Sequence, residues 1–204
     1  MFEKEELQIG LRPGADAPGR VLAVIDMQVD FVDGALGTPE AAAIVESVCR
    51  RIDECDGNTA VVVTLDTHGD DYLDTQEGRN LPVPHCRANS DGWRLTPEVA
   101  SALERYAERT GRTVAVYLKP TFGSTALAND LRECDAAHRI GQIEFVGLCT
   151  DICVVSNALL AKAFLPETEI AVLADCCAGV TPEAHEAALA TMASCQVKVV
   201  RREG

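Results

Sequence analysis

QIEFVGLCTDICVVSNALLAKAF, residues 142–164, changes its period midway. The run 142–147 is apolar enough for a strand buried on both faces. From about Asp151 the pattern is helical, with Cys153, Asn157, Leu160 and Phe164 on one face. Leu148-Cys149-Thr150 is the turn between them. The same alternation extends in both directions. Short apolar runs fall at 21–26, 60–65, 113–118, 169–174 and 196–200, and helical patterns near 39–55, 97–110, 124–136 and 182–195. Pro39, Pro97 and Pro182 suit first helical turns, with Thr38, Thr96 and Thr181 before them as caps. This order predicts an α/β fold: a three-layer α/β/α Rossmann-like domain around a central, mainly parallel six-stranded sheet. The chain of 204 residues suits one domain, 1–204, with 1–19 as an N-terminal extension.

Composition removes several functions. A net charge of −14 opposes nucleic acid and anionic membrane surfaces as partners. No apolar run spans a bilayer, and the N-terminus lacks a signal peptide's apolar stretch, so a cytoplasmic protein is expected. The nine cysteines are odd in number and lack zinc-ribbon or thioredoxin spacing. In a reducing compartment most of them act as small buried hydrophobes.

In open parallel sheets ligands sit beyond the carboxyl ends of the strands. Those ends here carry Asp26, Asp66, Lys119, Gly147 onward and Asp175. Cys153 follows at the start of a helix, where the macrodipole lowers a thiol's pKa. Read alone, Cys153 is equally the first residue of a buried helix face. A nucleophile needs a base, and neither His138 nor His185 is placed to serve. Asp26 can take the thiol proton, and Lys119 can stabilise the thiolate. Read alone, Asp26 is a strand-end cap and Lys119 a snorkelling surface lysine.

The long irregular stretch 67–95 is expected to be functional. Asp66 and His68, two apart on extended chain, point the same way, and His85 closes the loop. Two histidines and a carboxylate suit zinc, iron or manganese, although strand-end groups of this kind also simply tie down loops.

VIDMQVDFV, then KPTFGS, then GLCTDICVVSNALLAKA together resemble the isochorismatase-like cysteine hydrolases, over about residues 20–200. The resemblance implies a catalytic triad of Asp26, Lys119 and Cys153. It also implies a cis peptide at Leu148–Cys149 and an oxyanion hole made by the backbone N–H groups of Cys149 and Cys153. True isochorismatases attack an enol ether and lack the cysteine, so Cys153 points to amide hydrolysis. Within the superfamily, the Asp66-x-His68 and His85-Cys86 pattern is similar to the nicotinamidases. That implies a divalent metal on Asp66, His68 and His85, with nicotinamide hydrolysed to nicotinate and ammonia. The further histidine many nicotinamidases carry is missing, leaving Asp70, Asp71, Asp74 or water to replace it. Leu81 and Pro82 stand where nicotinamidases tend to place a stacking tryptophan. Phe31, Leu81 and Trp93 are the expected substrate-pocket residues, although Trp93 reads somewhat better as a loop anchor. A homodimer or homotetramer is implied. Two rival readings stand beside this one. The first is a hydrolase of another small amide, ureide or carbamoyl compound. The second is a catalytically silent binding or assembly protein on the same fold.

Overall fold

In the computed structural model, which describes residues 8–12 and 18–201, every strand pair is parallel. The strands are β1 (Gln8–Ile9), β2 (Arg20–Ile25), β3 (Thr59–Asp66), β4 (Ala115–Lys119), β5 (Gln142–Leu148), β6 (Glu169–Ala178) and β7 (Lys198–Val200). They form one sheet in the order β1-β4-β3-β2-β5-β6-β7. Six of the seven answer to the apolar runs in the sequence. The seventh, β1, is a two-residue strand added at the edge of the expected six. It lies in the presumed extension and pairs Gln8 with Ala115. Two residues are too few to carry a period. Of that extension, residues 1–7 and 13–17 lie outside the described residues.

The central strand β2 shows why the runs are continuous. Val21, Ala23 and Ile25 enter one core, and Leu22 and Val24 the other. Successive side chains of a strand face opposite ways, so helices on both faces demand apolar residues at every position. The first core takes α6 (Thr125–Ala137), α7 (Val155–Phe164) and α8 (Pro182–Ser194) through Leu131, Ala158 and Met192. The second takes α3 (Val45–Asp53) and α5 (Pro97–Thr110) through Ile52 and Leu103. The short helices α1 (Val29–Val32) and α2 (Pro39–Ala43) lie on this second side. The single helix expected over 39–55 is thus two, joined at Ile44.

Two of the three expected threonine caps form. Thr38 accepts from the Ala41 N–H at 3.0 Å, and Thr181 from the Ala184 N–H at 3.1 Å. Thr96 does not cap. Its own N–H donates to the Met27 carbonyl, and its hydroxyl is buried without a partner. The long loop is also more ordered than expected, holding a 3₁₀ turn (Tyr72–Asp74) and the helix α4 (Gln76–Asn80). Among the described residues, no helix is long and apolar enough to cross a membrane.

Candidate active site

Three adjacent strands, β4, β3 and β2, end with Lys119, Asp66 and, just past Ile25, Asp26. On the far side of β2, β5 leads into the cysteine loop. Gly147 makes this closeness possible, since a Cβ there would lie 2.1 Å from the Ile25 carbonyl oxygen. Asp26 adopts a left-handed φ of 46°, which turns the chain sharply out of the sheet. Such a backbone is costly for a non-glycine residue and is found mostly at functional sites. Thr64 pins the carboxylate by donating to Asp26 Oδ1 at 2.7 Å.

Lys119 is only 1% exposed, so it is not a snorkelling surface lysine. Its Nζ lies 2.6 Å from Asp26 Oδ2, 3.4 Å from Asp66 Oδ1 and 3.5 Å from Cys153 Sγ. Burial alone would lower its pKa, but Asp26, the thiol and Asp66 together raise it, so the ammonium persists. Toward Asp26 Oδ2 the contact is a close ion pair between two buried groups, and the Cys153 thiol meets the same carboxylate. Burial raises the Asp26 pKa against the opposing pull of Lys119.

Cys153 is buried in a π-helical turn, Thr150–Val154, which precedes α7. The Val154 N–H reaches back five residues to the Cys149 carbonyl at 3.1 Å. Single π turns occur often at functional sites. The sequence places an ordinary helix start here and a lowered thiol pKa. Instead burial and the Asp26 carboxylate push the Cys153 thiol well above its usual range, with Lys119 opposing them. Burial disfavours the thiolate, so the direction is toward a resting thiol. The Leu148–Cys149 peptide is cis. Burial pushes the Cys149 thiol up to about 12. His138 caps the end of α6 and is exposed, while His185 meets Thr150 Oγ1 at 2.8 Å.

Beside Asp26, Lys119 and Cys153 stands a second cluster. Asp66, His68, Glu77 and His85 each offer one ligand atom, all within 4.8 Å of one another. His68 Nε2 lies 2.8 Å from Asp66 Oδ2, and His85 Nε2 3.5 Å from the same oxygen. His85 Nδ1 is 2.8 Å from the Val83 carbonyl, which can only accept, so Nδ1 carries a proton and Nε2 is the ring atom turned toward the cluster. A histidine fixed in this way is the usual metal ligand. Burial would raise the Asp66 carboxyl, but the two histidines and Lys119 hold it well below the carboxylate range. Two imidazoles and two carboxylates are a fitting donor set for zinc, iron or manganese.

The fourth member of this cluster is Glu77, where the sequence offered Asp70, Asp71 or Asp74. Asp70 pairs with Arg87 instead, and Asp71 and Asp74 are exposed at the 3₁₀ turn. The loop is tied down by residues to which the sequence assigned no role. Gln28 Oε1 accepts the Asp66 N–H at 2.7 Å, and its Nε2 donates to the Asp66 and Trp93 carbonyls. Asp30 Oδ2 accepts the Cys86 N–H at 2.7 Å. The buried Tyr72 ring packs tilted against His68 and edge-to-face against His85, at 4.7 and 5.0 Å between centroids, and its hydroxyl donates to the Leu81 carbonyl. Polar Gln28 and Asp30 amid the apolar VIDMQVDFV were the available signal. Of the expected pocket residues, Phe31 lies 5.4 Å from the His85 ring. Leu81 is exposed. Trp93 spends its indole N–H on Thr67 Oγ1 at 2.8 Å, as a loop anchor does.

Comparison with known proteins finds relatives along most of the chain. The isochorismatase domain model matches residues 20–204. The nicotinamidase/pyrazinamidase of Mycobacterium tuberculosis is 29% identical over 188 residues, covering 89% of this chain and 98% of that protein. Among solved structures, the Pyrococcus horikoshii pyrazinamidase in complex with zinc aligns with a TM-score of 0.68 and 27% identity, covering 91% of this chain and all of that one. The nicotinamidase of Bacillus subtilis aligns with a TM-score of 0.72 and 27% identity, over 89% and 99% of the two chains.

Proposed function

This chain belongs to the isochorismatase family, and from that premise we propose that it is a cysteine amidohydrolase acting on a small carboxamide, with nicotinamide as the reference substrate. One observation carries the reading. Lys119 contacts the proposed base, the proposed nucleophile and a carboxylate of the metal-ligand set at once.

The resting Cys153 thiol gives its proton to Asp26 as its sulfur attacks the carboxamide carbon. Burial holds the Asp26 carboxyl above its ordinary range, which makes it a better base. Lys119 remains charged and offsets the thiolate. The carbonyl π pair moves to oxygen, where the N–H groups of Cys149 and Cys153 receive it. When the C–N bond breaks, Asp26 returns its proton to the leaving nitrogen, and ammonia departs. Asp26 then deprotonates a water that attacks the thioester, and the sulfur leaves as thiolate and is reprotonated. Covalent catalysis divides one difficult hydrolysis into two easier steps. A divalent metal held by Asp66, His68, Glu77 and His85 would supply a Lewis-acid anchor for the substrate's ring nitrogen. Phe31, against His85, offers a wall to the same space.

The test is ammonia release from nicotinamide by the metal-loaded protein, with Cys153→Ala as control. Cysteine-dependent release is the expected result, and release that survives the substitution overturns the triad. A second reading keeps the machinery and changes the amide. Leu81, aliphatic and 38% exposed at the rim of the histidine loop, favours it. Inert nicotinamide alongside cysteine-dependent turnover of a non-aromatic amide or ureide would select that reading.

A further inference from the structure

Asn157 lies one helical turn beyond Cys153 on α7 and is 3% exposed. Its amide is fully engaged. Nδ2 donates to the Cys153 carbonyl at 2.8 Å and to the Phe122 carbonyl at 3.1 Å, and Oδ1 accepts the Ser124 N–H at 2.9 Å. One side chain thus joins the backbone of Cys153 to the loop that leaves Lys119. Ser124 also caps α6, accepting from the Leu127 N–H at 3.1 Å, so the loop is fixed at both ends. A second contact comes from Gly123. A Cβ there would lie 2.7 Å from Leu160 Cδ1 and 3.5 Å from Ser156 Cβ, so the loop rests directly on α7.

We infer that Asn157 is a positioning residue that clamps the Lys119 loop onto the nucleophile's helix and so sets the separation of the Lys119 ammonium and the Cys153 thiol. The inference rests on the triad reading. A purely structural amide would stabilise the fold without governing the thiol. The chemistry of the side chain sharpens the distinction: aspartate keeps the acceptor for Ser124 but loses both donors.

The experiment follows alkylation of Cys153 by iodoacetamide against pH, resolved by peptide mass spectrometry, in Asn157→Ala, Asn157→Asp and Gly123→Ala. It needs no substrate, so inert nicotinamide leaves the result readable. In folded Asn157→Ala the alkylation profile is expected to move to higher pH, slowing the reaction at neutral pH by about 10- to 100-fold. Asn157→Asp is expected to follow it, because the lost donors are the ones that hold Phe122 and Cys153. With an active amide, kcat falls and KM stays. Profiles that overlay the unmodified protein, or move to lower pH, overturn the inference even if the melting temperature drops. Should Asn157→Ala fail to fold, Gly123→Ala decides by the same readings.

Discussion

The two corners of the site are built in different ways. Asp26 and Lys119 sit on strand ends, and Cys153 is one turn past another strand, all 5% exposed or less. In the neighbouring cluster only Asp66 belongs to a strand. His68, Glu77 and His85 come from the 67–95 loop, held by Gln28, Asp30 and Tyr72. Groups on strand ends are placed by the sheet's own hydrogen bonds and cannot move unless the fold moves. Groups on a loop are placed by a few side-chain tethers and can be lost locally. The triad should therefore be inseparable from global stability, while the metal set should be separable from it.

The largest expected effect tests the triad's chemistry. Cys153→Ala should lower turnover by at least about 10⁴-fold, measured as ammonia release, because the other groups act through the thiol. Next comes Lys119→Met. It leaves Asp26 and Asp66 buried without their shared cation, and urea denaturation should show a loss of about 3–5 kcal/mol. A loss under about 1 kcal/mol would break the comparison, since the strand-end corner would then be separable too.

Metal binding probes the loop corner. Zinc at about 100 times its Kd should stabilise the protein by about 2.7 kcal/mol, read as a rise in melting temperature. Glu77→Ala should diminish that rise and Asp74→Ala should not, with Cys153 alkylation unchanged in both. Altered alkylation in Glu77→Ala would mean that the corners are not independent. The smallest effect concerns His185, whose pKa is lowered by burial against the pull of Glu186. The unfolded chain then binds the proton more readily. Stability is complete above the ordinary value of 6.5 and falls as pH drops below it. His185→Gln should narrow the difference in urea midpoint between about pH 7.5 and 5.5. An unchanged difference would remove His185 from the account of the cysteine loop.

The same contrast explains what the sequence could reveal. Buried parallel strands announce themselves as unbroken apolar runs, and their carboxyl ends share one rim, so Asp26, Asp66 and Lys119 were legible before any coordinates. Cys153 followed from the turn after such a run. Glu77 was not legible, because five-residue α4 inside a loop has no period to place it. The π turn was hidden because its residues read as any helix start. Thr96 had the right residue in the right place, but the chain before α5 hydrogen-bonds to Met27 instead. Local propensity yields to tertiary context at such points.

The position of β2 also bears on how the molecule is made. Its Ile25 lies level with Thr64 on one side and Gly147 on the other. Among the described residues every pairing between the named strands is parallel, so none of these pairs can form early as a hairpin. Loop-closure entropy must be overcome before any of these pairings is rewarded, which makes such topologies slow to fold. On the ribosome, Asp26 is among the first parts of the site to emerge, and it must wait for Cys153 more than half the chain later. Nascent chains arrested before β5 should therefore lack the protease protection of the finished sheet. Protection at that length would mean that β2, β3 and β4 form a stable unit alone.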